Sequence, residues 1–255
     1  MKISAVIITF NEENNIADAL ESVAWADEIL VVDSESTDST REICEKAGAT
    51  LLVRKWVGFS AQKQYAAEQA ENDWIFSLDA DERVSHELRT EVLGLKTRTN
   101  KADGYKIARL SIYMGREIRH GGWYPDWQLR FFDRRKARWK DVSIHESVVT
   151  AEGAKTARLR GEIIHYTVES AEHHHRMIGE RYAPLAARQM FDNGQRTSPL
   201  RIVFAGWSAF IRTYFIKAGF LDGTPGFVIA NFAGHHAFLK HLLLWEMQSA
   251  RKPTE

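Results

Sequence analysis

The chain has 255 residues, 44% of them hydrophobic, and its 34 basic and 34 acidic side chains cancel. That length suits one sizeable α/β core with an appendage, or two small domains. Zero net charge excludes a global electrostatic fit to nucleic acid, and the single cysteine, Cys44, excludes an intrachain disulfide and points to a reducing compartment.

Met1-Lys2 is followed by the apolar run Ile3 to Phe10 and then by Asn11-Glu12-Glu13. The run is too short for a membrane span and reads as a strand buried on both faces, not a signal peptide. Asn14 to Ala24 follows as a helix, with Ile16, Ala19, Leu20 and Val23 at helical spacing. Glu28–Asp33 is a second strand. Ser36, Thr37 and Asp38 then offer an N-cap for a helix that runs to Lys46 and closes at Gly48. Cys44 lies within it and reads as a small apolar packing residue. Thr50–Arg54, Ala61–Ala70 and Trp74–Leu78 complete the order as strand, helix and strand. This βαβαβαβ succession predicts a mostly parallel sheet with right-handed crossovers, and ligands of such sheets bind beyond the carboxyl ends of the strands.

Polar residues gather at that edge. Asn11 and Glu12 end the first strand, Asp33 the second, and Asp79 and Asp81 the fourth. Side chains at i and i+2 of an extended segment share a face, so Asp79 and Asp81 are expected to converge on one hard cation. Mg²⁺ or Mn²⁺ held by one or two carboxylates completes its shell with water and phosphate oxygens.

Beyond Lys96 the pattern changes. Gly104–Tyr113, Gln128–Asp133 and Glu162–Tyr166 read as strands without long intervening helices, so the rest of the sheet is expected to be mixed or antiparallel. The loops His120–Asp126 and Lys140–Glu146 carry the aromatic and ionisable side chains of a sugar platform. Arg130, Arg134, Arg135, Lys136, Arg138 and Lys140 crowd one segment, as either a solvated strand pair or a binding patch. His173-His-His175 lies in a helical stretch where neighbours diverge, so it makes a poor chelate and reads as a solvated or interfacial helix start. On a helix, Phe204, Trp207, Phe210, Ile211, Tyr214, Phe215 and Ala218 share one face and Arg201, Ser208 and Arg212 the other, with Lys217 near the boundary. No run reaches the roughly 18 apolar residues of a span. The face suits either an interfacial region resting in a headgroup layer or a helical cap or dimer contact.

Several segments together resemble the family 2 glycosyltransferases, in particular the branch that builds the lipopolysaccharide inner core. They are Val6-Ile-Ile-Thr-Phe-Asn-Glu-Glu13, Val31-Val-Asp-Ser-Glu-Ser-Thr-Asp38, Gly58-Phe-Ser-Ala-Gln-Lys63, Leu78-Asp-Ala-Asp-Glu82, Gly122-Trp-Tyr-Pro-Asp126, Leu129-Arg-Phe-Phe132, His145-Glu146 and Gly219-Phe-Leu-Asp-Gly223. The resemblance implies a GT-A fold, a Rossmann-like mixed sheet flanked by helices, as a catalytic domain over 1–168. An amphipathic helical region over 169–255 would associate with the membrane. It further implies inverting transfer from a nucleotide-activated sugar. Thr9, Asn11 and Glu12 would line the nucleotide pocket and Asp33 would bind the uracil or ribose. Gln62 and Lys63 would approach the nucleotide or its diphosphate. Asp79 would contact the nucleotide or donor sugar, with Asp81 as the principal metal ligand.

Inverting displacement needs a carboxylate to take the acceptor's proton and a cation to stabilise the departing diphosphate. Glu146 is the expected base, with a surface ion pair to a nearby arginine as its bland alternative. Asp126, after the stiff Trp123-Tyr124-Pro125, is second. His145 would orient the base or acceptor, and His165 would approach the metal or diphosphate unless it is structural. The expected donor is a UDP-hexose, UDP-glucose first, and the expected acceptor a sugar hydroxyl on a lipid-linked oligosaccharide. The enzyme would then sit peripherally on an anionic surface, the cytoplasmic face of the inner membrane. A polyprenyl-phosphate sugar transferase and a non-enzymatic nucleotide-sugar sensor are the competing functions.

Overall fold

The computed structural model describes residues 1–98, 102–140, 146–168 and 170–249. The first half alternates as expected: β1 (Ile3–Thr9), α1 (Ile16–Ser22), β2 (Glu28–Asp33), α2 (Thr40–Lys46), β3 (Thr50–Val53), α3 (Phe59–Gln69) and β4 (Trp74–Asp79). β1 runs parallel to β2 and β4, and β2 parallel to β3. Then come β5 (Glu82–Val84), α4 (His86–Leu95), β6 (Gly104–Tyr113), β7 (Arg116–Ile118), β8 (Asp126–Asp133), β9 (Ala137–Trp139), β10 (Val148–Thr150) and β11 (Thr156–Val168). The sheet order is β3-β2-β1-β4-β8-β6-β11-β5, with β7 beside β6 and β9-β10 as a separate ribbon. β8 is antiparallel to both β4 and β6, and β5 to β11. The mixed sheet with flanking helices is the architecture that the resemblance implied.

Strand periodicity explains the two cores. Ile3, Ala5 and Ile7 of β1 enter one cluster with Ile16, Leu20, Phe76 and Leu88. Val6 and Ile8 enter the other with Leu30, Val32, Ala66 and Ile75, as alternation across a doubly covered strand requires. Cys44 lies buried in the first cluster, and burial pushes its thiol up to about 11, which leaves it unreactive. α3 buries three alanines at its far end, Ala66, Ala67 and Ala70 at its cap, but three polar side chains at its start, Ser60, Gln62 and Lys63. Its first turn therefore belongs to a site rather than to the core.

Some local expectations shift. α2 begins at Thr40, whose N–H donates to Asp38, while the Ser36 hydroxyl accepts from Asn11 N–H instead of capping the helix. α4 was not anticipated; it buries Leu88, Val92 and Leu95, and the Ser85 hydroxyl caps it by accepting from Leu88 N–H. Half of the basic cluster has structural roles, while Lys136, Arg138 and Lys140 are exposed. Arg134 donates to the Ala67 and Ala70 carbonyls at the end of α3, Arg135 pairs with Asp133 and Asp73, and Arg130 is buried.

Contacts divide the chain into two units, residues 1–110 with 125–165 and residues 111–124 with 166–255. The second unit holds α5 (Ala171–Arg176), α6 (Ala183–Asp192), α7 (Pro199–Ile211) and α8 (Gly223–Ser249). It also includes the loop carrying Trp123. His174 of α5 is turned inward, bonded to the Tyr113 hydroxyl at 2.9 Å, and burial lowers its pKa to about 4. One of the three consecutive histidines is thus a neutral core residue rather than part of a solvated start. Asp222 accepts from His120 N–H at 2.8 Å and lies 2.7 Å from His120 Nδ1, which ties the Gly219–Gly223 segment to the start of the His120–Asp126 loop.

α7 packs on α8 where Gly206 faces Gly234, with Ile202 and Ala209 buried on either side of Gly206. A Cβ on Gly234 would meet the Gly206 carbonyl at 3.0 Å, so the helices approach at small residues. The opposite stripe, Leu200, Phe204, Trp207, Ile211 and Phe215, is exposed. A π-helical turn at Arg212–Ile216 breaks the ideal helical projection. Phe210, which precedes that turn, and Tyr214, within it, lie off the exposed stripe and cluster with Phe227 at 5.9 and 5.7 Å. No helix among the described residues is long and apolar enough to cross a membrane.

α4 is pinned to β11 by Glu91, which accepts from Arg160 and Gly161 N–H at 2.8 and 2.9 Å. A Cβ on Gly161 would stand 2.2 Å from Leu88 N. Gly161→Ala is expected to cost about 1–3 kcal/mol, read as a lower urea midpoint; an unchanged midpoint would mean that α4 moves away freely.

Candidate active site

The carboxyl ends of β1, β2 and β4 and the first turn of α3 build the site. Two loops are stitched together first. Asn11, at φ 54°, donates its N–H to Ser36 and accepts from Thr37 N–H through Oδ1, both at 2.8 Å. Glu12 N–H donates to Thr40 Oγ1 at 2.8 Å, and the Glu12 carboxylate accepts from Asn15. The Asn11 amide and the Glu12 backbone therefore hold the β1 and β2 loops in one shape, and left-handed backbone is tolerated at asparagine.

Within that frame three buried polar atoms have no hydrogen-bond partner in the protein: Thr9 Oγ1, Asp33 Oδ1 and Gln62 Oε1. Thr9 and Asp33 are register neighbours on adjacent strands. Asp33 Oδ2 accepts from Ser36 N–H at 2.9 Å, while Gln62 Nε2 donates to Ser34 Oγ at 3.1 Å and to the Arg54 carbonyl at 3.2 Å. Leaving a buried carboxylate oxygen unpaired is costly, so this corner is built for a ligand that presents N–H or O–H donors. Phe10, next to Thr9, is 54% exposed.

Beside it runs a chain of alternating charge: Glu146, Lys63, Asp79, Arg130, Glu82, Arg109, Asp126. Lys63 Nζ lies 2.8 Å from Asp79 and 3.0 Å from Glu146. Arg130 Nη2 lies 3.0 Å from both Asp79 and Glu82. Arg109 reaches Glu82 at 3.4 Å and Asp126 at 2.8 Å. Lys63 and Arg130 stand over the Trp139 ring at 5.0 and 5.8 Å. Glu82, fully buried, also accepts from Asp79 N–H at 2.9 Å and so bends the chain after β4. Burial pushes the Asp79 carboxyl up, but Lys63 and Arg130 overcome this and hold it far below the ordinary carboxylate range. Burial likewise works against charge on Arg130, yet Glu82 and Asp79 keep it firmly protonated.

Asp79 and Asp81 therefore do not converge as two side chains of one extended strand would. β4 stops at Asp79, residues 80 and 81 form a turn, and the two carboxylates face different partners. Asp79 is shared by two cations. Asp81, about one-third exposed, lies 3.1 Å from His165 Nε2. His165 is inside β11, opposite Glu82, with Nδ1 buried and unpartnered. A partly exposed carboxylate beside an imidazole suits a divalent cation that takes few protein ligands and fills its shell with water and phosphate oxygens. Among the described residues no group of three or more His, Cys, Asp or Glu side chains is poised for a metal; Asp81 and His165 are two side chains capable of ligating one that lie together at this edge. His145 lies outside the described residues.

Arg130, Glu82, Arg109 and Trp139 are the members that sequence reasoning missed. The signal for Arg130 was present, since it stands between Leu129 and Phe131-Phe132 in a strand buried from Leu129 to Asp133. Removing it would leave Asp79 and Glu82 facing each other across a buried gap. Arg130→Met is expected to cost about 3–5 kcal/mol in chemical denaturation. Because folding depresses the Asp79 pKa, its contribution is complete above the unfolded carboxylate value near 4 and is lost as pH falls through the folded value. Wild-type stability should thus decline from about pH 4 downward; a flat acid limb would argue against the pairing.

Residues 4–155 match the glycosyl transferase family 2 domain. An uncharacterised glycosyltransferase of Rickettsia typhi is 31% identical, over 96% of this chain and 87% of its own. The lipopolysaccharide core biosynthesis glycosyltransferase LpsC of Rhizobium meliloti is 29% identical, over 98% and 94%. Among solved structures, the UDP complex of Staphylococcus aureus TarS residues 1–349 has a TM-score of 0.49 at 16% identity, covering 100% of this chain and 93% of that one. The matched domain spans β1 to the strands around Glu146, and with it the whole ion chain; the chain belongs to glycosyl transferase family 2.

Proposed function

We propose that this glycosyltransferase performs inverting transfer of a hexose, glucose from UDP-glucose in the first instance, onto a sugar hydroxyl of a lipid-linked oligosaccharide such as the lipopolysaccharide inner core. The observation that carries the reading is Lys63, whose buried ammonium joins the Asp79 corner to Glu146 in one contact set. In this reading Asp33 Oδ1 accepts the imide N–H of uracil, with Thr9 and Gln62 completing the recognition and Phe10 offering a face for the base. Asn11 and Glu12 shape the pocket.

Glu146, partly exposed and held by Lys63, accepts the acceptor's proton as the new C–O bond forms and the diphosphate leaves. Lys63, 3.0 Å from Glu146, orients that carboxylate. Asp79 keeps Lys63 and Arg130 in place. Asp126, fixed by Arg109 and by Gln128 at 2.7 Å, is the second candidate for the base. Asp81 and His165 would hold Mg²⁺ or Mn²⁺, which when bound neutralises charge on the diphosphate.

The exposed stripe of α7, with Arg201 and Arg212 exposed on the same helix and its π-helical continuation, suits an interfacial helix. The likeness to a lipopolysaccharide core biosynthesis glycosyltransferase is compatible with a lipid-borne acceptor, and we place the enzyme peripherally on the anionic cytoplasmic face of the inner membrane.

Calorimetric titration with UDP-sugars, with and without Mn²⁺, tests the donor assignment. One UDP-hexose should bind in a metal-dependent way, and Asp81→Ala should abolish that dependence; no binding by folded protein would overturn it. Glu146→Gln should retain UDP binding and lose at least about 10²-fold in transfer. Full activity would shift the base to Asp126 or favour a polyprenyl-phosphate acceptor, whose oxygen arrives ionised. For the membrane reading, the protein should sediment with anionic vesicles at low salt, and Phe204→Ser with Trp207→Ser should weaken this about tenfold or more. A folded wild type that stays in the supernatant would refute it.

A further inference from the structure

The first unit carries its own exposed apolar surface, most of which has no part in the ion chain or the proposed nucleotide corner. Its exposed large hydrophobic side chains among the described residues are Phe10, Val53, Trp56, Val57, Phe59 and Val149. Four of the six fall in the seven residues from Val53 to Phe59, between β3 and α3. Trp56 and Phe59 meet edge to face at 4.6 Å, and Val57 is 56% exposed. A loop of this kind usually hides its apolar side chains or replaces them with polar ones.

Charge narrows what the loop fits. Arg54 and Lys55 lie within it, and no acidic residue occurs between Glu45 and Glu68. Arg54 is engaged, donating to the Ala61 carbonyl at 3.0 Å and standing 4.2 Å over the Tyr65 ring, whereas Lys55 is exposed. An exposed tryptophan flanked by aliphatic and basic side chains, without acids, is the composition that settles at a membrane interface, where the indole lies among headgroups. A protein partner's rim would ordinarily demand charges of both signs.

Position gives the loop a use. Val53 is in register with Asp33, Arg54 N–H donates to the Asp33 carbonyl at 2.9 Å, and Gln62 and Lys63 follow on α3. The loop is therefore one strand away from the proposed base pocket, at the same edge of the sheet.

We propose that residues 53–59 form a membrane-docking loop that seats the donor-binding edge of the first unit directly on an anionic phospholipid surface. The proposal rests on the membrane reading above but on a different element. In the full-length protein, Val57→Cys is labelled with an environment-sensitive fluorophore. Cys44 does not compete, being buried with its thiol pushed up to about 11. Glu68→Cys on α3 serves as the control, and vesicles are phosphatidylglycerol with phosphatidylcholine.

The expected result is a blue shift at 57, quenched by lipid-borne nitroxide and absent at 68. In unlabelled protein, Lys55→Ser with Trp56→Ser should lower vesicle affinity about tenfold while UDP binding is retained. If wild type sediments with vesicles but position 57 neither shifts nor quenches, the loop proposal fails and the α7 reading stands. If nothing sediments, both fail. A shift that follows protein concentration without lipid assigns the surface to a second copy, and a shift with UDP alone assigns it to the donor; either overturns the proposal.

Discussion

The structure of the site depends on burying ionic groups without leaving any of them alone. An isolated charge in a protein interior is prohibitive, and a pair is tolerable only with close geometry and further hydrogen bonds. Here the solution is a line of seven side chains whose signs alternate from Glu146 to Asp126. Each interior member has an opposite charge on both sides. The two ends, which need only one neighbour, are the partly exposed carboxylates, and these are the two candidates for the base.

That arrangement explains features that otherwise look unrelated. α3 starts with buried polar residues because its first turn must deliver Lys63 to the chain. β8 carries an arginine among phenylalanines because Arg130 must reach Asp79 and Glu82 from the neighbouring strand. The turn after β4 is tight because Glu82 folds back onto Asp79 N–H. Asp81 is thereby turned out of the line, toward His165 and solvent, where a carboxylate can exchange partners at little cost. One acid of the pair is structural in its contacts and the other is available.

The corner proposed for the nucleotide follows the opposite logic. There the loops are fully bonded to each other through Asn11, Ser36, Thr37 and Thr40, so the frame is rigid before any ligand arrives. The orphaned atoms, on Thr9, Asp33 and Gln62, are confined to the floor. Preorganisation of this sort concentrates the unsatisfied potential at the ligand and spares the surroundings.

How much of this was readable in advance divides along the range of the interactions. β1 to β4 and their helices were legible because apolar periodicity and turn residues act within a few positions; Ile3, Ala5 and Ile7 alternate with Val6 and Ile8 whatever the rest of the chain does. The gathering of Asn11, Glu12, Asp33, Asp79 and Asp81 at one edge followed from strand order. The sequence by itself thus determined the parallel half-sheet, the family and the edge at which the candidate site lies. The π-helical turn at Arg212–Ile216 was invisible to an ideal helical projection. Which acid meets which cation was decided only by tertiary structure. Lys63 finds Asp79 16 residues away and Glu146 83 residues away, and Arg130 finds Asp79 51 residues away. Ion pairing depends on distance in space and on burial, and neither is encoded in the local pattern of the chain.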